Sequence, residues 1–235
     1  MASALSPHHL QIGAILFPQI DQADFTGPFE VLSRVPDTTF HIIGRDLSPV
    51  RDVHGLVLTP QTTFADAPPL EVLLVPGGAG VNAAMEDHEM LSFVRHQAAG
   101  AKIIFSVCTG AFILGAAGLL KGRRATTHWA SHHLLPMLGA VPVNERVVVD
   151  GNLVTAAGVT AGIDGALRVA MMLRGEAVAR TIQLYLQYAP EPPFSSGTPE
   201  SAAPELLLAA TAGMRDIIDA RLAIVQRLAA SSRPN

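Results

Sequence analysis

Lys102-Ile103-Ile104-Phe105-Ser106-Val107-Cys108-Thr109-Gly110-Ala111-Phe112-Ile113-Leu114-Gly115 decides how the rest of the chain is read. β-Branched and aromatic residues fill its first half, small residues and helix formers its second. That is the pattern of a buried strand running directly into a buried helix. The only cysteine in 235 residues stands at the junction, so it cannot form an internal disulfide. A strand-to-helix elbow lifts a side chain above the C-terminal edge of a sheet and aims it at a helix N-terminus. The helix dipole and its unpaired N–H groups favour a thiolate there, which is the reactive form of the residue. The competing reading is a buried cysteine used as a small hydrophobe; the Thr-Gly that follows and the small-residue helix favour the nucleophile.

The same region contains 18 residues without a charge, Ile103 to Leu120, close to the length of a membrane span. Ser106, Cys108, Thr109 and Gly110 interrupt it, and its two halves have different propensities. A strand and a helix explain it, and no membrane association is expected.

Outward from this elbow, further continuous apolar runs mark parallel strands: Gln11–Phe17, Phe40–Ile43 and Glu71–Val75, the last ending in Pro76-Gly77-Gly78. Arg146–Val149 and Leu153–Ala157, joined by Asp150-Gly151-Asn152, read as a hairpin or final sheet pair, and Leu56–Thr59 as a small accessory strand. Helices are expected between them: one opening at Thr26-Gly27-Pro28 with Thr26 as N-cap, then Asp87–Ala99, Thr109–Leu120 stopped by Lys121-Gly122, Ala130–Leu138, Ala161–Leu173 and Ala177–Tyr188. Alternating strands and helices imply an α/β fold with a mostly parallel sheet and ligands at the carboxyl ends of its strands. Gly77-Gly78, Cys108-Thr109-Gly110 and Ala157-Gly158-Val159-Thr160 all converge there.

Three segments are expected: a flexible tail over 1–10, an α/β domain over 11–188, and a proline-rich connection with a C-terminal helix over 189–235. The helix runs from Pro204 to Ala230, with an apolar side that includes Ile217, Ile218, Leu222, Ile224 and Leu228. Residues 1–10 lack the charged and apolar regions of a signal peptide.

Apolar residues make up 49% of the chain and charged residues 15%, with mean hydropathy +0.34. That excess suits a covered subunit face, so a homodimer is expected. The net charge of −4, with no basic run interleaved with aromatics, argues against nucleic acid as a partner. A single cysteine and no disulfide framework fit a reducing, cytoplasmic compartment. The nine histidines show no metal-ligand spacing and no dinucleotide or Walker fingerprint is present, so neither a metal nor another cofactor is expected.

Around the cysteine, Gly77-Gly78 is either an ordinary turn or a place where backbone N–H groups approach a developing negative charge. Asp24, just after the first strand, is either a carboxylate favoured by the following helix terminus or a proton carrier for the thiol. Glu30 competes with it. His128, twenty residues past the cysteine and beside the only tryptophan, is either a base or a packed ring.

Val75-Pro76-Gly77-Gly78, Ser106-Val107-Cys108-Thr109-Gly110 and Arg124-Ala125-Thr126-Thr127-His128-Trp129 resemble the ThiJ/PfpI superfamily, over about residues 11–188. The resemblance implies a flavodoxin-like three-layer sandwich with a reactive cysteine at the elbow. Within the superfamily the chain is most similar to the isocyanide hydratases, through Asp24-Phe25-Thr26-Gly27-Pro28, Leu114–Leu120, Asn144–Val148, Gly158–Asp164 and Tyr188–Phe194. That resemblance implies cofactor-free addition of water to an isocyanide, giving an N-substituted formamide through a thioimidate on Cys108. It implies Asp24 as proton carrier, with Thr109 and the backbone of Gly77, Gly78, Gly158, Val159 and Thr160 around the intermediate.

The chain departs from relatives in three places. Thr109 stands where the protease branch has histidine, Asp24 where many relatives use glutamate, and Ala157 where the hydratases favour glycine. Two other readings fit the motifs. AraC-type regulators share the Cys-Thr-Gly and Ala-Thr-Thr-His-Trp patterns, but 47 residues after Tyr188 are too few for paired helix-turn-helix units. A redox or glyoxalase-like cysteine protein would use the same thiolate.

Overall fold

The computed structural model describes residues 9–231, so most of the expected N-terminal tail lies outside the described residues. In chain order the elements are β1 (Leu10–Ile15), α1 (Gln22–Leu32), β2 (Thr38–Gly44), β3 (Val50–Arg51), β4 (Val57–Leu58), β5 (Thr62–Thr63), β6 (Val72–Val75), α2 (Val81–Ala84), α3 (His88–Gly100), β7 (Ile103–Val107), α4 (Gly110–Ala116) and β8 (Arg124–Ala125). A 3₁₀ segment over Trp129–Leu138 follows, then β9 (Val141–Pro142), β10 (Val147–Asp150), β11 (Leu153–Ala156), α5 (Ala161–Arg174), α6 (Glu176–Tyr185) and α7 (Pro204–Ser231).

Seven strands form one sheet in the order β10-β11-β7-β6-β1-β2-β5. Every pairing in it is parallel except β10 with β11, the expected hairpin. The reason lies in the strands themselves: β6, β7 and β11 are buried along their whole length, as a sheet covered on both faces requires. Helices α1, α5 and α6 pack on one face; α2, α3, α4, the 3₁₀ segment and α7 cover the other. Between β1 and β6 the strand order reverses direction. This is the switch point at which the carboxyl ends of a parallel sheet leave a crevice.

Two expected boundaries are corrected, each for a local reason. Helix α1 starts at Gln22 with Asp21 as its N-cap, not at Thr26, because Asp21 Oδ1 accepts the Ala23 N–H at 3.0 Å and closes the terminus one turn earlier. Thr26 lies inside the helix, where its hydroxyl donates to the Gln22 carbonyl at 3.0 Å. Pro28 is interior too, and it has no N–H to give the Asp24 carbonyl. Helix α4 stops at Ala116, not Leu120. Gly118 and Gly122 take φ of +83° and +70°, which unwind Ala117–Gly122 into turns. The remaining elements fall within a few residues of expectation, and the accessory strand Val57–Leu58 pairs with Val50–Arg51 outside the main sheet.

Ile103–Leu120 divides as expected into a strand and a helix, and among the described residues no helix is long and apolar enough to cross a membrane. The C-terminal arm is less buried than its apolar pattern suggested. Only Arg221, Ile224 and Val225 of α7 are buried, while Leu206 and Leu208 face outward.

Candidate active site

Each loop at the switch point contributes one part of the site. Cys108 follows β7 with φ of +55°, an uncommon conformation for a residue with a side chain. Its N–H donates to the carbonyls of Ala156 and Ala157 at 3.0 and 2.8 Å, and the Thr127 hydroxyl donates to its carbonyl at 2.7 Å. These three bonds, all from other segments, hold the strained elbow in place. Gly110 is obligatory just beyond it: a Cβ there would lie 2.1 Å from the Val75 carbonyl oxygen.

Asp24 reaches the elbow from the first turn of α1. It is completely buried, and the Gly77 N–H donates to its Oδ2 at 3.0 Å. Its Oδ1 is buried with no conventional hydrogen-bond partner, and the Cys108 thiol is the side chain that acts on the carboxyl. Burial, and then the neighbouring charge of Asp21, push the Asp24 carboxyl from 3.8 up to about 8; the Cys108 thiol and the Gly77 N–H pull it back. At neutral pH this carboxyl therefore carries a proton. Glu30, the competing carboxylate, lies on the surface and pairs with Arg34 at 2.7 Å.

Burial also pushes the Cys108 thiol well above its ordinary value, and the charge on Asp24 adds to this. The backbone N–H groups of Val159 and Thr109 act in the opposite direction, on the sulfur. Burial thus outweighs the helix terminus that by itself favours a thiolate. The two acids form one coupled unit: while Asp24 keeps its proton, its repulsion of the thiolate vanishes.

The expected oxyanion groups sort into two kinds. Val159 and Thr109 direct N–H groups at the sulfur, as a site for developing negative charge needs. Gly77 and Gly78 do not present free donors. The Gly77 N–H is committed to Asp24, and the Gly78 N–H donates to the Thr109 hydroxyl at 3.0 Å. Their role is close approach: a Cβ on Gly77 would meet Thr109 N at 2.6 Å and Asp24 Oδ2 at 2.7 Å. Gly78 has φ of +126°. The Thr109 hydroxyl also donates back to the Gly78 carbonyl at 3.2 Å, so it locks two loops together. Thr160 stands farther off, its hydroxyl accepting from Arg146 at 3.2 Å.

Val159 carries a φ of +23°, a second strained non-glycine residue beside the first. It lines a cleft of about 510 Å³ together with His128, Trp129, Arg146, Gly158 and Pro199. The proline-rich connection thus closes one side, and Asn144 anchors it by donating to Glu200 at 3.0 Å. His128 is a wall residue. Its Nδ1 accepts the Ala130 N–H at 3.4 Å to cap the 3₁₀ segment, and burial, then the charge of Arg221, hold its pKa below the usual histidine value. It makes no hydrogen bond to Cys108 among the described residues. No group of three His, Cys, Asp or Glu side chains suited to a metal occurs among the described residues.

Sequence reasoning passed over Asp21, Thr127 and Arg221. Asp21 was legible as an N-cap two residues before Ala23. Arg221 was legible as a cation inside the apolar side of a helix, between Ile217, Ile218, Ile224 and Val225. Thr127 stands in the Arg124–Trp129 stretch, but nothing local marks its bond to Cys108, which spans nineteen residues of chain.

The chain is similar to several known proteins. An isonitrile hydratase of Pseudomonas putida is 53% identical over 221 residues, covering 94% of this chain and 97% of that protein. The crystal structure of a ThiJ/PfpI family protein from Pseudomonas syringae superposes with a TM-score of 0.90 at 38% identity, covering 92% of this chain and 90% of that one. The transcriptional regulator GbdR of Pseudomonas aeruginosa is 32% identical over 129 residues, which is 53% of this chain but 34% of the regulator. The DJ-1/PfpI family model matches residues 11–172, and the chain belongs to that family.

Proposed function

We propose that this protein is an enzyme that adds water to isocyanides and releases N-substituted formamides, using Cys108 as nucleophile and Asp24 as proton carrier. The observation that carries the reading is the buried Asp24–Cys108 pair, in which the carboxyl is pushed up to about 8 and two N–H groups bear on the sulfur. Near-complete alignment with an isonitrile hydratase supports the substrate class.

The chemistry balances on these groups. Cys108 first gives its thiol proton to solvent; the thiolate then attacks the terminal carbon of the isocyanide while the Asp24 carboxyl gives that carbon a proton, forming a C–S bond and a thioimidate and leaving a carboxylate. The carboxylate then takes a proton from water as the water oxygen bonds to the same carbon, and the proton passes to the substrate nitrogen. Collapse of this adduct breaks the C–S bond, returns the hydroxyl proton to Asp24 and frees the formamide and the thiolate. No oxidant, metal or outside base enters. The N–H groups of Val159 and Thr109 hold negative charge on sulfur at the start and end of the cycle. Thr109 and Gly77 fix the relative position of acid and nucleophile.

The division of the chain follows from this chemistry. The core over 11–188 carries the reacting groups, and the segment over 189–235 completes the cleft. The reading includes a homodimer working in the cytoplasm; exposed Leu184, Tyr185 and Phe194 support a covered face. Incubation with an aromatic isocyanide, followed by chromatography, should show the formamide. Cys108→Ser should lower its formation to background, and mass spectrometry of the acid-quenched wild type should find a substrate adduct on Cys108. Turnover by Cys108→Ser within tenfold of wild type would sink the mechanism.

A further inference from the structure

Arg221 is 3% exposed, at the centre of the short part of α7 that is buried. Its Nε donates to Asn82 Oδ1 at 3.0 Å and its Nη1 to the Ser131 hydroxyl at 2.8 Å, and its guanidinium carbon lies 5.6 Å from the centre of the Phe112 ring. Asn82 is itself oriented, because its amide nitrogen donates to the Ile217 carbonyl of α7 at 3.1 Å. Each of these partners is neutral. Seven other arginines pair with carboxylates among the described residues; Arg221 does not. A buried cation with no anion at hand is costly, and neutral hydrogen bonds and one aromatic face offset only part of that cost.

The three anchors show where the charge is aimed. Asn82 belongs to α2, immediately beyond the Gly77-Gly78 loop. Ser131 follows Thr127-His128-Trp129, which flank the cleft. Phe112 lies one turn after Cys108 on α4. Arg221 thus touches an element leading away from each of three walls of the nucleophile. Its field reaches both Cys108 and His128. The other charged groups acting on Cys108 are Asp24 and Asp21, both of which oppose a thiolate. Arg221 is a buried cation on which the sulfur acts in turn, raising the arginine's pKa against the effect of burial.

We propose that Arg221 is the counter-cation of the Cys108 thiolate, a positioning residue that the C-terminal helix delivers to the back of the active site. This rests on the reading of Cys108 as the nucleophile, and it assigns to α7 an electrostatic role in the reaction that its mostly exposed surface does not suggest.

The intact protein tests this directly, because Cys108 is the only thiol and its alkylation by iodoacetamide can be followed by mass spectrometry as a function of pH. Three variants are compared: Arg221→Met removes charge and hydrogen bonds, Arg221→Gln removes the charge but keeps a donor, and Arg221→Lys keeps the charge. The expected result is an upward shift of the alkylation midpoint by about one pH unit or more in the Met and Gln variants, a wild-type-like midpoint in the Lys variant, and at least a roughly tenfold fall in kcat for the neutral variants. Circular dichroism and thermal melts report folding, and Arg221→Gln carries the test if Arg221→Met does not fold. A wild-type midpoint in folded Arg221→Gln, or a Lys variant shifted as far as Gln, overturns the proposal. Absence of formamide from the wild type would instead overturn the hydratase reading while leaving the alkylation comparison valid.

Discussion

Asp24 could be read from the sequence as a carboxylate near Cys108, but its protonation could not. Burial on every side, with one oxygen lacking a conventional partner, is what moves it from 3.8 to about 8. The sign of the consequence follows. A carboxyl whose folded-state pKa is raised contributes stability that is full below about pH 4 and is lost as pH rises toward 8. Asp24→Asn keeps the acceptor for the Gly77 N–H and removes the titration. It should therefore raise the melting temperature at pH 8, by at least about 1 kcal/mol of stability or ~3 °C, with the gain shrinking toward pH 4. The same substitution should lower kcat/KM by about 10²- to 10⁴-fold, through loss of the proton carrier. Melts across pH 4–8 check the first half; a variant less stable than wild type at pH 8 contradicts the assignment of a neutral buried carboxyl.

Among the elements, α4 had its start legible in Cys108-Thr109-Gly110 and its end hidden. The start is fixed by a close approach that only glycine permits, and such approaches leave a mark in composition. The end depends on Gly118 and Gly122 turning left-handed, which a run of small apolar residues does not distinguish from continued helix. For α1 the order was reversed: Thr26-Gly27-Pro28 has the form of a helix start, yet Asp21 captured the terminus first. Two glycines separate the effects of close approach and of flexibility. Gly110→Ala drives a Cβ to 2.1 Å from a backbone oxygen that cannot move aside, and should cost about 3 kcal/mol and slow Cys108 alkylation. Gly100→Ala meets nothing within 4 Å at the end of α3 and should be neutral or stabilising by up to about 1 kcal/mol. Denaturant titration of both variants distinguishes them, and equal effects would refute the packing account.

At the scale of the whole molecule, Leu184, Tyr185, Phe194 and Leu208 are 81%, 73%, 78% and 71% exposed on the single chain. Leu184 and Tyr185 are neighbours on α6, and large apolar side chains exposed side by side suit a covering surface. Light scattering should give twice the chain mass of 24.7 kDa, and Leu184→Glu should shift the population toward the monomer. A monomeric wild type at micromolar concentration would contradict the homodimer.

The sequence by itself determined the parallel sheet, the elbow and the cysteine that stands at it. Continuous apolar strands, a lone cysteine and obligatory glycines are local signals, and each needs no partner to be read. The tertiary structure alone decided which N–H groups face the sulfur, that Gly77 and Gly78 spend theirs on Asp24 and Thr109, that Asp24 is neutral, and that Arg221 stands behind the site. These are properties of burial and of groups brought together from distant parts of the chain. Desolvation and charge interaction depend on distance in space, and separation along the sequence does not encode it.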